Sequence, residues 1–236
     1  MQADAFIFDV FGTVLDWRSS VAAGVAHFFD NRGKAVDGHR FAMDWRSLYI
    51  PSLMALMERG DPFVKLDVLH RQNLIAVLEK HGHTGLVDDE IDELTHLWHH
   101  LRPWPDSVAG LAALRAQRPV AACSNANIAM MINMSRSAGL LWDAVLGAEI
   151  AQAYKPAPQV YLKSCEALEL RPENVMMVAA HNADLAAARE QGLLTAFIRR
   201  PDERGPDGNP GAEPDQDWDL VADDLLDLAQ KFSASA

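Results

Sequence analysis

The sequence predicts an α/β protein, a doubly wound parallel sheet with helices on both faces, and three observations carry that expectation. Short apolar runs recur along the chain and read as strands buried on both faces. Amphipathic helical patterns separate them. Polar residues stand just past the runs, where open parallel sheets place their ligands.

Residues 5–10 form the first run, broken by Asp9 and closed by a Gly12-Thr13 turn. Residues 120–124, 144–150, 175–180 and 194–198 are the later strand candidates. Helical patterns lie at 128–138, 158–168 and 183–191, the last closed by Gly192. Residues 19–102 break the rhythm, with helical spacing at Val21, Val25, Phe28 and Phe29 and no convincing strand. They read as a helical domain inserted into a core made of residues 1–18 and 103–236. Residues 200–217 (RPDERGPDGNPGAEPDQD) are rich in Pro, Gly and acid and are expected to be an exposed loop. A last short strand and helix are expected in 218–232.

Composition bounds the function. The chain has 236 residues, 49% hydrophobic and 23% charged, which is enough for a sizeable core. Its net charge of −12 argues against nucleic-acid binding through a basic field, and means that an anionic substrate needs a local positive site. The N-terminus has no basic region of a secretory signal and no apolar run is long enough to span a membrane. A cytoplasmic location and two free thiols, Cys123 and Cys165, are therefore expected. His81, His83, His99 and His100 lack metal-ligand spacing and read as surface residues. Trp98 and Trp104 read as packing. No G-x-G-x-x-G follows the first strand, which counts against a dinucleotide-binding module.

On the predicted rim, Asp9, Ser124-Asn125, Lys155 and the stretch from His181 to Asp184 converge. Asp9-Val-Phe-Gly-Thr13, Ser124-Asn125, Lys155-Pro-Ala-Pro158 and Asp184 together resemble the four motifs of the haloacid dehalogenase superfamily. The resemblance covers essentially the whole chain, with the helical insert in the place of a cap domain on a Rossmannoid core. Two departures set it apart from the phosphatases of that superfamily. Phe11 stands where they carry a general acid, and Ala179 or Ala180 where they carry an additional magnesium ligand. These departures resemble the L-2-haloacid dehalogenases, and Asp16-Trp-Arg-Ser-Ser20 with Ala179-Ala-His-Asn182 resembles a subgroup some of whose members take fluoroacetate.

The resemblance implies hydrolytic dehalogenation of short 2-haloacids, with no metal or other cofactor, a small anionic haloacid as ligand, and a homodimer. It implies Asp9 as nucleophile, forming an ester that water opens. Lys155 keeps Asp9 ionised, and Asp184 orients Lys155 or Ser124 or helps activate the water. Ser124 and Asn125 cradle the substrate carboxylate with the helix start that follows them, and Thr13 joins the binding set. Arg46 matches the arginine that takes the halide, with Arg18 as the alternative, and Tyr161 falls where the family has an active-site tyrosine. His181 is open: either a core histidine or a contact to halide or water. The competing expectation is a phosphatase of the same superfamily acting on a small phosphate ester.

Overall fold

The structure, a computed structural model, describes residues 3–206 and 208–235, without the side chain of Ser235; Met1, Gln2, Asp207 and Ala236 lie outside the described residues. Six strands form one parallel sheet: β1 (Ala5–Phe8), β4 (Val120–Ser124), β5 (Ala144–Gly147), β6 (Val175–Ala179), β7 (Leu194–Ile198) and β8 (Leu220–Ala222). Their spatial order is β5-β4-β1-β6-β7-β8, with β1 central. Strand periodicity explains the two-faced core. Phe6 and Phe8 of β1 join one apolar cluster while Ile7, between them, joins the other. The first cluster takes in α6 (Ser107–Arg115), α7 (Ile128–Ala138) and α11 (Leu225–Ser235). The second takes in α9 (Pro158–Ala167) and α10 (Asn182–Glu190), with the short α8 (Ala148–Ala151) beside them. The sheet is thus doubly wound, as expected.

The helical stretch between β1 and β4 contains α1 (Trp17–Asp30), α2 (Gly38–Ser47), α3 (Tyr49–Arg59), α4 (Leu66–Lys80) and α5 (Asp88–Thr95). It leaves the sheet through β2 (Leu15–Asp16) and returns through β3 (Arg102–Pro103), which pair antiparallel, so both crossings run side by side. Asp16 also caps α1, its carboxylate accepting from the Ser19 N–H at 3.0 Å, and Asp37 caps α2 in the same way. No helix among the described residues is long and apolar enough to cross a membrane. Cys123 and Cys165 are free and buried.

Three expectations need correction. The apolar runs overstate the first and third strands, which end at Phe8 and Gly147; the Asp9 N–H still donates to the Val178 carbonyl at 3.0 Å, but the Val10 carbonyl accepts from Val14 and Leu15 in the turn, and Ala148 begins α8. His99 is buried, held between Asp67 and Asn133, and His81 binds Asp44 at 2.8 Å. Both are partnered rather than left on the surface, because carboxylates distant in sequence, Asp67 and Asp44, fold back onto them. Finally, residues 200–217 are not simply an exposed loop: Arg200, Glu203 and Ala212 are buried. Arg200 makes a bidentate ion pair with Asp106, 2.8 Å on each arm, and donates to the Thr13 carbonyl at 2.9 Å. That pins the loop to the segment following β1.

Candidate active site

The site lies where β1 ends. Gly12, at φ +85°, allows the chain to reverse after Asp9 and brings the Thr13 hydroxyl back to it. Thr13 Oγ1 donates to Asp9 Oδ2 at 2.8 Å and itself accepts the Ala180 N–H at 2.9 Å. Lys155 Nζ donates to Asp9 Oδ1 at 2.9 Å and, on its other side, to Asp184 Oδ2. Tyr161 donates to the second Asp184 oxygen at 2.6 Å. His181 Nδ1 meets Asp9 Oδ2 at 3.0 Å, and its Nε2 meets the Glu203 carboxylate at 3.1 and 3.2 Å.

These contacts decide the charges. Burial alone would push the Asp9 carboxyl up, but the Lys155 ammonium and His181 outweigh it and hold Asp9 well below the usual carboxylate range. Lys155 is likewise pushed down by burial and raised on balance by Asp184 and Asp9. Asp184 is raised, by burial and by the Asp9 charge, in spite of Lys155. His181 would be lowered by burial, yet Glu203 and Asp9 bring it to about 10. The result is an ionised Asp9 faced by two cations.

The opposite wall comes from the helices. Asp9, Phe11, Trp17, Met43, Arg46, Tyr49 and Lys155 are among the residues lining a cleft of about 530 Å³. The Arg46 guanidinium lies 4.0 Å from the Tyr49 ring centre and within 5.3–5.9 Å of Trp17, Phe11 and Trp98. Its Nη1 is buried without a hydrogen-bond partner. Such a donor is left for a ligand, and a soft guanidinium among aromatic faces suits a weakly hydrated anion. Behind it, Trp98 packs on Trp17 and His70, as expected for a packing residue.

Of the sequence-predicted residues, Asp9, Arg46, Asn125, Lys155, Tyr161, His181 and Asp184 line this cleft. Thr13 and Ser124 sit just behind it, both fully buried. Ser124 Oγ accepts the Ala126 N–H at 3.1 Å, and the first N–H of α7, from Ile128, is taken by Glu149 at 2.6 Å. The helix start is therefore already capped. Asn125 bridges the two walls: its side chain donates to Tyr49 Oη at 2.9 Å and accepts the Lys155 N–H at 2.8 Å. Arg18 does not line the cleft; its guanidinium packs against Gly205, where any Cβ would overlap it.

Glu203 was not foreseen. It sits in the acid-rich stretch, where composition predicts solvent, but only 2% of it is exposed. Besides His181 it accepts from Trp17 Nε1 at 3.0 Å and Asn209 Nδ2 at 3.1 Å. The spacing to Trp17, 186 residues, leaves no local pattern to read.

The donor set fits a divalent metal poorly. The Lys155 ammonium occupies the place between Asp9 and Asp184, Phe11 is apolar, and among the described residues no group of three or more His, Cys, Asp or Glu is placed to hold a metal ion.

Comparison with known proteins agrees with this geometry. The (S)-2-haloacid dehalogenase 1 of Pseudomonas sp. (strain CBS-3) is 30% identical over 201 residues, covering 83% of this chain and 84% of that protein. The crystal structure of the defluorinating L-2-haloacid dehalogenase Rha0230 superposes with a TM-score of 0.95 at 44% identity, covering 98% of this chain and 95% of that one. The L-2-haloacid dehalogenase PA0810 gives 0.93 at 44% identity, with 99% of each chain covered. Residues 3–192 match the family model described as haloacid dehalogenase-like hydrolase, and the chain belongs to that family.

Proposed function

We propose that the protein is a metal-independent 2-haloacid dehalogenase that converts short (S)-2-haloacids to 2-hydroxyacids through an ester on Asp9. The observation that carries this reading is the pairing of an ionised, buried Asp9 with an unpartnered Arg46 donor across one cleft. The names and 44% identity of Rha0230 and PA0810 support it.

Asp9 attacks the carbon bearing the halogen from the side opposite the halide. Lys155 keeps the nucleophile ionised and offsets its repulsion of the substrate carboxylate. The halide leaves toward Arg46 and the rings of Tyr49, Trp17 and Phe11. It needs no proton, so the apolar Phe11 is harmless to this chemistry. An alkoxide leaving group would need the acid that Phe11 replaces, and that disfavours a phosphatase. Asn125 and the adjacent Lys155 face the substrate carboxylate. Asp184, raised by burial and the Asp9 charge and oriented by Lys155 and Tyr161, is the base for the water that opens the ester. Residues 19–102 act as the cap that keeps bulk water from the cleft.

The test is halide release from chloroacetate, fluoroacetate and both enantiomers of 2-chloropropionate with EDTA present. Turnover of the haloacids in EDTA, with the (S)-enantiomer preferred, is expected. Loss of turnover in EDTA and its return with Mg²⁺ would favour the phosphatase reading instead.

A further inference from the structure

We infer that Glu203 is a positioning residue for the second half of the reaction: it clamps the His181 ring against the Asp9 oxygen that becomes the ester carbonyl, and His181 with Thr13 then forms the oxyanion site for hydrolysis. The inference rests on the reading of Asp9 as a nucleophile.

The two Asp9 oxygens are not equivalent. Oδ2 receives Thr13 at 2.8 Å and His181 at 3.0 Å, whereas Oδ1 receives Lys155 alone. The oxygen with two committed donors is the poorer nucleophile, so Oδ1 attacks and Oδ2 is left as the carbonyl oxygen. The Thr13 proton must point to Oδ2, because an ionised carboxylate only accepts, while the Thr13 oxygen accepts from Ala180 N. The two donors therefore stand at hydrogen-bond distance from the atom on which negative charge develops, before the reaction begins.

Glu203 determines what His181 can offer there. Carboxylates only accept, and each ring nitrogen of His181 faces one: Nδ1 faces Asp9 and Nε2 faces Glu203. Both nitrogens must then carry hydrogen, and the ring is an imidazolium. The other charged groups lining the same cleft are Lys155 and Asp184 on the rim, Arg204 beside Glu203, and Arg46 on α2. Of the facing groups, only Asp9 and Glu203 hydrogen-bond the ring. When Asp9 becomes an ester its charge disappears, and Glu203 is left as the sole carboxylate holding the proton on His181.

The place of Glu203 is built into the fold. Gly12, in the nucleophile loop, has no Cβ where one would overlap the Glu203 carboxylate. Trp17 and Asn209 fix that carboxylate, and the Arg200–Asp106 pair anchors its loop.

In the step itself, water adds to Asp9 Cγ and passes one proton to Asp184. The Cγ–Oδ2 π pair moves onto Oδ2, opposite His181 and Thr13. Collapse breaks the Cγ–Oδ1 bond, and the departing hydroxyacid oxygen takes the proton back from Asp184. The new Asp9 carboxyl loses its remaining proton to solvent.

Glu203→Gln keeps a hydrogen-bonding partner at Nε2 and removes the charge. In rapid-quench single turnovers with chloroacetate, followed by intact-protein mass spectrometry, its alkylation rate should stay within about threefold of the wild type while ester hydrolysis slows about 10- to 100-fold, so that the ester accumulates and kcat and KM fall together. The fall in kcat that follows loss of the His181 proton should lie at lower pH in Glu203→Gln than in the wild type, moved toward neutral pH. Glu203→Asp should restore part of the hydrolysis rate. Should Glu203→Gln fold poorly, His181→Asn carries the test: the same hydrolysis defect is expected, and adding Glu203→Gln to it should cost nothing further. Equal slowing of both steps, no slowing, or additive losses in the double variant would overturn the proposal. Absence of an Asp9 adduct in every variant and in the wild type would overturn the reading of Asp9 itself, and this proposal with it.

Discussion

The two walls of the cleft are built in opposite ways. On the sheet side five charges are tied together: Asp9, Lys155, Asp184, His181 and Glu203 form one chain of hydrogen-bonded ion pairs. On the helical side a single guanidinium stands among aromatic rings with a buried N–H left over. Bond formation at Asp9 requires fixed geometry, and a network in which every member is satisfied supplies it. Capture of a departing halide requires a cation with spare capacity, and satisfying Arg46 internally would remove it. The difference shows where preorganisation ends and ligand binding begins.

The sharpest way to break the sheet wall is Asp9→Asn, which keeps the shape but removes the nucleophile; turnover should fall by about 10⁴-fold or more in a halide-release assay. Next comes the anchor of the Glu203 loop. Asp106→Asn leaves the buried Arg200 charge without its carboxylate and should cost about 3–5 kcal/mol of stability in denaturant unfolding. The helical wall should respond differently. Arg46→Lys keeps the charge and loses the planar, weakly hydrated fork, so kcat/KM should fall about 10- to 100-fold with little change in the unfolding midpoint. The smallest effect concerns His70, buried under Trp98 with neither ring nitrogen bonded. Burial and the Arg46 charge depress it from 6.5 to about 3. The unfolded chain therefore binds the extra proton between those values, and stability from this group is present above pH 6.5 and lost as pH falls toward 3. That loss is at most about 1.4 kcal/mol per pH unit. In unfolding curves at pH 7 and pH 4.5, His70→Phe should be less acid-sensitive than the wild type.

The same contrast explains what could be read in the sequence. The rim was legible because parallel strands deliver the residue after each apolar run to one edge: Asp9, Asn125 and His181 meet there for that reason alone. Arg46 could be reached only through family resemblance, since helical spacing puts it on a face without saying what the face meets. Glu203 was illegible. Its stretch has the composition of a solvated loop, and its burial comes from single long-range partners, Trp17 and His181, that leave no periodic trace. His99 was misread for the same reason: Asp67 and Asn133, which bury it, lie more than 30 residues away on either side.

In the covalent route Asp9 attacks carbon, and an oxygen label tests this most directly. In a single turnover with enzyme in excess in ¹⁸O-water, the label should enter the Asp9 carboxylate, detected by mass spectrometry of its peptide. The first hydroxyacid formed should carry unlabelled oxygen, and a chiral substrate should emerge inverted. Label appearing at once in the hydroxyacid, with none on the Asp9 peptide, would mean that water attacks the substrate directly and would contradict the covalent route.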